Sequence, residues 1–171
     1  MGLDVSVYRN YKVIERNEEN VDEDGYFEGD YDFHVYQAIP EWNYKCEELE
    51  IDEYYTADRI CHSISYPYSS HMWFRKELLK LIGRDDLIKG YDIDWDGIVE
   101  NTDMDFYEFI NFSDCEGTLD SKISKVILGN FLKYEDKVRG MDREDRFVNC
   151  YDSWIETFTE GSKDNSVVIF R

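Results

Sequence analysis

Apolar and polar residues alternate over the first dozen positions of the chain, where Leu3, Val5, Val7, Tyr11 and Val13 stand among polar neighbours. A period of two predicts a half-buried β-strand or hairpin arm. The same reasoning predicts strands at 33–37, ended by Pro40, at 59–66 and at 167–170. Residues 15–32 are acidic and predict a loop, whereas 41–56 fit either a helix or a strand.

Three longer segments show helical spacing instead. The first follows Ser69 or Ser70, which are candidate caps, and Gly83 ends it. The second covers about 120–139 and the third about 142–160. No internal repeat or linker divides the sequence. The pattern predicts a single α+β domain over residues 1–171, with a small, mainly antiparallel sheet and three main helices.

Composition narrows the classes of function. The 171 residues carry a net charge of −20 and 16% aromatic residues. A disordered chain has fewer aromatics, and a nucleic-acid binder has a basic surface, so both classes are disfavoured. An anionic membrane surface is disfavoured for the same reason. The charge is compatible with a basic host protein, a divalent cation or simple solubility, and with a monomer or a homo-oligomer.

The expected location is the cytosol. No apolar run approaches the roughly 20 residues that span a bilayer, and the first residues lack the basic start and apolar block of a signal peptide. The four cysteines, Cys46, Cys61, Cys115 and Cys150, have no C-x-x-C spacing. They are therefore expected to be reduced thiols.

The start of the first predicted helix is a candidate site for an anionic ligand. Free N–H groups at a helix N-terminus favour negative charge, and an arginine can bind a phosphate or carboxylate with two donors. Aromatic rings nearby offer faces for stacking a base. The candidate residues in this segment are Tyr66, Tyr68, Ser69, Ser70, Trp73 and Arg75. The alternative is an ordinary amphipathic helix, with Trp73 in the core and Arg75 paired to an acid.

The polar loop 111–117 is the second candidate. Its residues Asn111, Ser113, Asp114 and Glu116 either line a pocket shared with the first segment or merely organise a turn. In the second case Ser113, Asp114 or Thr118 caps the following helix, and Gly117 takes a special backbone angle. Cys115 has acidic and no basic sequence neighbours, which disfavours a nucleophilic thiolate. No catalytic residue set is evident, so we expect a protein that is not an enzyme.

Residues 92–103 match the twelve-residue EF-hand pattern, with acids at positions 1, 3, 5 and 12 and glycine at 6. The candidate Ca²⁺ ligands are Asp92, Asp94, Asp96, Glu100 and Asp103. Asp103 replaces the longer Glu that normally binds with both oxygens, and Trp95 is bulky for its position. The alternative is an acidic loop closed by an Asp-Gly turn.

Four blocks of the sequence resemble a family of uncharacterised small proteins of bacteria and their phages. They are the Met-Gly-Leu-Asp start, Tyr68-Ser69 followed by Phe74-Arg75 and by Leu78, Leu81 and Gly83, then Glu108-Phe109-Ile110 running into the Asn-Phe-Ser-Asp-Cys-Glu-Gly string at 111–117, and the aromatic C-terminal helix. The chain departs from the family at His71, where Tyr is usual, and at Trp73, where a basic residue is common. The resemblance implies a bacterial host cytoplasm as context and no particular activity.

These observations lead to three hypotheses. The first is a non-enzymatic binder of a small anionic ligand, with the role of a phage anti-defence protein that sequesters a nucleotide signal. This hypothesis involves no cofactor. The second is a calcium-binding protein with its ion at 92–103. The third is an acidic protein that mimics DNA or covers a basic surface of a host protein.

Overall fold

The predicted N-terminal strand lies inside a six-stranded sheet. The structure is a computed structural model that describes residues 2–17, 19–24, 27–35, 42, 44–47, 49–141 and 145–171, with the backbone alone for 44 and 60–63. The strands of this sheet are β1 (Gly2–Val13), β2 (Phe33–Val35), β3 (Tyr44–Lys45), β4 (Glu53–Pro67), β7 (Gly117–Asp120) and β8 (Ser166–Phe170), and the short strands β5 (Ile88–Lys89) and β6 (Asp92–Ile93) form a separate hairpin. The α+β prediction is confirmed.

The main sheet has the order β2-β4-β1-β8-β7-β3. Strand β1 pairs antiparallel with β4, from Gly2 opposite Pro67 to Val13 opposite Tyr55, and with β8 on its other side. Five strands are antiparallel neighbours, and β3 joins β7 in parallel at the edge. Residues 36 and 37, the predicted end of the second strand, and Pro40, which was predicted to stop it, lie outside the described residues.

The three predicted helices are present as α1 (Tyr68–Leu81), α4 (Ser121–Arg139) and α5 (Asp145–Gly161). The predicted start of the third, residues 142–144, lies outside the described residues. Two short helices were not predicted, α2 (Trp95–Val99) and α3 (Tyr107–Ile110). Gly83 ends α1 as predicted, because its φ of +76° favours glycine and its N–H donates to the Lys80 carbonyl.

The helix caps differ from the prediction. Pro67 precedes α1 and no side chain caps that helix, so neither Ser69 nor Ser70 does so. The cap of α4 is Asp120, whose carboxylate accepts the N–H groups of Lys122 and Ile123. Ser113, Asp114 and Thr118 are therefore not its caps, and Gly117 begins strand β7.

The sheet separates two clusters of buried side chains. The larger one packs the helices against Leu3, Val5 and Val168 and is rich in aromatic rings from α1, α3, α4 and α5. The smaller one lies on the opposite face, around Tyr8 and Ile169. Burial of the first face by helices leaves the second face partly open, and the candidate site lies there.

Candidate functional site

The predicted residues at the start of α1 lie close to the first turn of α5. Arg146 donates from Nη2 to Ser70 Oγ at 2.8 Å, and its guanidinium carbon lies 4.4 Å from the centre of the Trp73 ring. Tyr68 is the first helical residue, and Ser69 beside it is exposed. Since Arg146 contacts both α1 side chains, this end of the helix has a cation that the sequence pattern did not identify.

Tyr66 points to a different neighbourhood. Its ring centre lies 6.3 Å from that of Trp154, in the larger core. Burial raises the pKa of Tyr66 above its ordinary value, and Cys150 raises it further. The hydroxyl is therefore neutral across the physiological range.

Arg75 is buried on α1, with 2% of its surface exposed. One Nη2 N–H donates to the carbonyl of Phe112, and Nη1 lies 3.8 Å from a carboxylate oxygen of Asp114. The guanidinium carbon also lies 5.7 Å from the centre of the Trp95 ring on α2. Burial lowers the pKa of Arg75 to about 10, against the raising effect of Asp114 and Cys115, so the side chain stays cationic at neutral pH. The structure thus brings Arg75 to the predicted loop.

The loop 111–117 is organised mainly by its own groups. The Ser113 hydroxyl accepts the N–H groups of Cys115 and Glu116, each at 3.3 Å, and the Ser113 N–H donates to the carbonyl of Trp42. The Asn111 amide donates to the hydroxyl of Tyr107 at 3.0 Å. These contacts fix a tight turn that presents Cys115 and Glu116 outward.

A cleft with a volume of about 600 Å³ lies on the open side of this turn. It is lined by Tyr31, Asp32, His34, Val35, Cys115, Glu116, Gly117, Thr118, Ile169, Phe170 and Arg171. Of the ten predicted ligand-binding residues, Glu116 is the one in this lining. The two predicted segments therefore do not share this cleft, although they meet behind it through Arg75 and Asp114.

The curl of the sheet creates the cleft. Strands β2 and β7 are four places apart in the sheet order, so about 19 Å would separate them in a flat sheet. Both strands nevertheless line one cleft, because the antiparallel sheet curls. Thr118 pairs with Ile169 across β7 and β8, which places their side chains on the same face. The cleft thus lies where the curled sheet brings β2 close to β7 and to the end of β8.

Arg171 supplies the cation of the cleft. Its backbone exchanges two hydrogen bonds with Asp4, each of 2.8 Å, which holds it in line with β8. From there Nη2 donates to the carbonyl of Asp32 at 3.0 Å, and the guanidinium carbon lies 5.7 Å from the centre of the Tyr8 ring. Within the described residues, one of its five side-chain N–H donors has an acceptor. The remaining donors are suited to an anionic group.

The aromatic side of the cleft is formed around His34. Its ring stacks on Tyr54, with the ring centres 4.0 Å apart and the planes 1° from parallel, and Tyr31 meets Tyr54 edge-on. Burial is the largest of the effects that lower the pKa of His34 below 6.5, so the imidazole is neutral at pH 7. The cleft therefore combines one cation, flat aromatic rings and two carboxylates, those of Asp32 and Glu116.

The predicted calcium segment is folded into two elements. Asp92 belongs to β6, where its carboxylate accepts the N–H of Ile93, and Asp94 precedes α2 and forms an ion pair with Lys89 at 2.7 Å. The other proposed ligands, Asp96, Glu100 and Asp103, are exposed. Over the part of the chain that the structure describes, no group of three or more His, Cys, Asp or Glu side chains is arranged to hold a metal ion.

No family model, curated protein or solved structure matches the chain. None of the described helices combines the length and apolar character needed to cross a bilayer.

Sequence reasoning missed most of the cleft, including Tyr31, Asp32, His34, Thr118 and Arg171. A partial signal was present, because Thr118 follows the predicted loop directly and Arg171 follows the predicted last strand. Pairing of these two segments, which the sequence did not show, places both residues beside one another.

Proposed function

We propose that the protein binds a small anionic ligand, of the size and chemistry of a nucleoside monophosphate, in the concave cleft and releases it unchanged. The observation that carries this proposal is the lining of the cleft, where Arg171, Tyr31 and His34 surround one space of about 600 Å³. Pockets of roughly 300–1,000 Å³ with an apolar floor and a few polar groups are typical small-ligand sites.

Each part of the cleft suits one part of such a ligand. The phosphate would accept hydrogen bonds from Arg171, which can present two parallel donors. The base would lie against Tyr31 and His34, since stacking on aromatic rings tolerates every base. Amino and hydroxyl groups of the ligand would donate to Glu116 and to Asp32. Val35 and Ile169 form an apolar floor, and a ligand lying on them would remove apolar surface of both partners from water.

The charge of the protein favours a monophosphate over a triphosphate. The net charge of −20 repels anions at long range, and among the described residues the lining contains a single arginine. Each further phosphate would add repulsion without a second guanidinium to compensate it. We therefore expect adenosine monophosphate to bind more tightly than adenosine triphosphate, and the preference to weaken at high salt.

Two matched arginine variants test the location. Isothermal titration with adenosine monophosphate should show Arg171→Ala weakening the complex by about 1.5–3 kcal/mol, the value of a hydrogen bond to a charged group. Arg146→Ala removes an equal charge from α5, where it contacts the start of α1, and should leave the affinity unchanged. The reverse result would place the anion at Ser70 and Trp73. Absence of binding by any nucleotide in a panel would contradict the proposal.

The fate of the ligand tests the non-enzymatic part of the proposal. After incubation with the protein, the nucleotide should be recovered unaltered by mass spectrometry. In the context that the sequence resemblance suggests, the role that we propose is sequestration of a nucleotide signal of bacterial defence. Turnover of the nucleotide at a rate that scales with protein concentration would instead indicate an enzyme.

A further inference from the structure

The buried charge of Arg75 is not explained by core packing. Its Nε atom is buried without a hydrogen-bond partner in the described residues, and its nearest described carboxylate, Asp114, is 3.8 Å away and partly exposed. A buried cation with incomplete pairing stabilises a fold less than an apolar side chain of the same volume does. A methionine at this position would fill the space without that cost.

Arg75 instead connects α1 to the turn that forms one wall of the cleft. Its guanidinium binds the Phe112 carbonyl immediately before Ser113, and it faces Asp114 immediately after. It therefore contacts the chain on both sides of Ser113, whose hydroxyl holds the N–H groups of Cys115 and Glu116.

Phe112 also contacts strand β8, which lines the cleft. The Phe112 ring packs edge-on against Phe170, with the ring centres 4.9 Å apart. Phe170 pairs with Gly117 across β7 and β8 and lines the cleft. Phe112 thus connects Arg75, which binds its carbonyl, to Phe170 of β8, which packs against its ring.

We propose that Arg75 is a positioning residue for the cleft, which holds the turn 112–116 so that Glu116 and Cys115 face the ligand. This inference rests on the proposed binding of a small ligand in the same cleft. Arg75 does not touch the ligand, because it lies behind the wall rather than in the lining.

Cys115 supplies a built-in reporter of the turn. It is exposed in the cleft, whereas Cys46 and Cys150 are only partly exposed and lie elsewhere. Alkylation of Cys115 by iodoacetamide, followed by peptide mass spectrometry, measures how the turn is held. Adenosine monophosphate serves as the ligand probe, and in the wild-type protein it should slow the alkylation of Cys115.

The main variant is Arg75→Met, which keeps the volume and removes the donors. We expect faster alkylation of Cys115 without the probe, and an affinity for the probe lower by about 10- to 100-fold, as is typical for residues that support a binding group from behind. The matched control is Phe74→Leu, on the same helix and equally buried, whose ring contacts Phe109 and Phe147. It should lower the melting temperature without changing either the alkylation rate or the affinity.

A second variant covers the case in which Arg75→Met does not fold. Asp114→Asn removes the partly exposed carboxylate that faces Arg75, and it should also accelerate alkylation of Cys115 and weaken binding of the probe, by less than Arg75→Met.

The outcomes separate this inference from the proposed function. If the wild type binds the probe, and both Arg75→Met and Asp114→Asn keep the wild-type affinity and alkylation rate of Cys115, the role of Arg75 is overturned. The cleft then remains the ligand site. Failure of every nucleotide to protect Cys115 overturns the proposed function. In that case, the alkylation rate of Cys115 in Arg75→Met, compared with the wild type without nucleotide, still decides whether Arg75 positions the turn.

Discussion

His71 provides the sharpest test of the physical reasoning about the core. It is 1% exposed on α1, beside the rings of Phe109 and Trp154, whose centres lie 5.5 and 5.6 Å from its own. Neither imidazole nitrogen has a hydrogen-bond partner in the described residues. Burial, and secondarily the charge of Arg75, lowers the pKa of His71 well below 6.5. The folded protein therefore holds a neutral, unsatisfied imidazole.

The substitution His71→Phe removes both polar nitrogens and keeps an aromatic ring. Each unsatisfied buried group costs about 1–3 kcal/mol, and the slightly larger phenyl ring costs part of that gain in repacking. We expect the variant to be about 1 kcal/mol more stable than the wild type at pH 7.5.

The pH dependence of the unfolding free energy gives a second expected value, which does not depend on how the core repacks. In the unfolded chain His71 has an ordinary histidine pKa near 6.5. Below that pH it binds a proton in the unfolded chain but stays neutral in the folded protein. Stability from His71 is complete above pH 6.5 and is lost as the pH falls. Between pH 7.5 and 5.5 the wild type should lose about 1.4 kcal/mol that the variant keeps.

Urea unfolding of both proteins at the two pH values measures this difference. His34, whose pKa is also lowered, is present in both proteins and cancels in the comparison. A gap between variant and wild type that stays the same at pH 5.5 and 7.5 would refute the reasoning, because it would mean that folded His71 titrates as in the unfolded chain.

Three further predictions concern the cleft, a helix cap and the calcium hypothesis. Affinity for adenosine monophosphate should rise below pH 6.5 more in the wild type than in His34→Gln, because burial lowers the pKa of His34 and its charge appears only in acid; equal pH profiles by titration calorimetry would contradict this. Asp120→Ala should cost about 1 kcal/mol of unfolding free energy, since α4 loses its cap, and Asp120→Asn, which keeps an acceptor, should cost less in urea unfolding; equal losses would argue against capping. Calcium at millimolar concentration should leave the melting temperature unchanged, because Asp94 is paired with Lys89, whereas a rise that Asp92→Ala abolishes would establish the EF-hand hypothesis.

The main helices and the two buried strands of the sheet centre were predictable because their patterns are long or strongly biased. Helix α5 places Phe147, Tyr151, Trp154 and Phe158 on one buried face. Strand β8 is buried throughout, in agreement with its run of β-branched residues. In α5 the helical period fits and a period of two fails, and in β8 the short β-branched run indicates a buried strand, so local sequence is sufficient in both.

Short elements were not predictable. Strand β7 has four residues, too few for a period to emerge, and its pairing with β8 defines it. Helix α3 has four residues and follows Phe106, whose φ of +63° is in the left-handed region that a large side chain rarely adopts. Packing of the fully buried Phe106 ring against Phe131, with the ring centres 5.0 Å apart, compensates for that backbone conformation.

The candidate site divides in the same way. The sequence singled out Arg75 and the loop 111–117 from their residue types, and the structure brings these two together. It did not show that Arg75 lies behind the loop and that the open space lies on the other side, with Arg171 and His34. The residue type shows that a buried polar group needs a partner. Which residue becomes that partner depends on how distant segments of the chain pack together.

By itself, the sequence determined the α+β class, the main helices and the acidic character of this protein, because these depend on composition and on periodicities of two and 3.6 residues. Only the tertiary structure decided the concave cleft. Residues Tyr31, Glu116 and Arg171 come from three separate parts of the chain, and the curl of the antiparallel sheet places them around one space. The curl follows from the twist of the paired strands, and the register from matching the buried face of each strand to the core, so both depend on how distant segments pair and on no single segment.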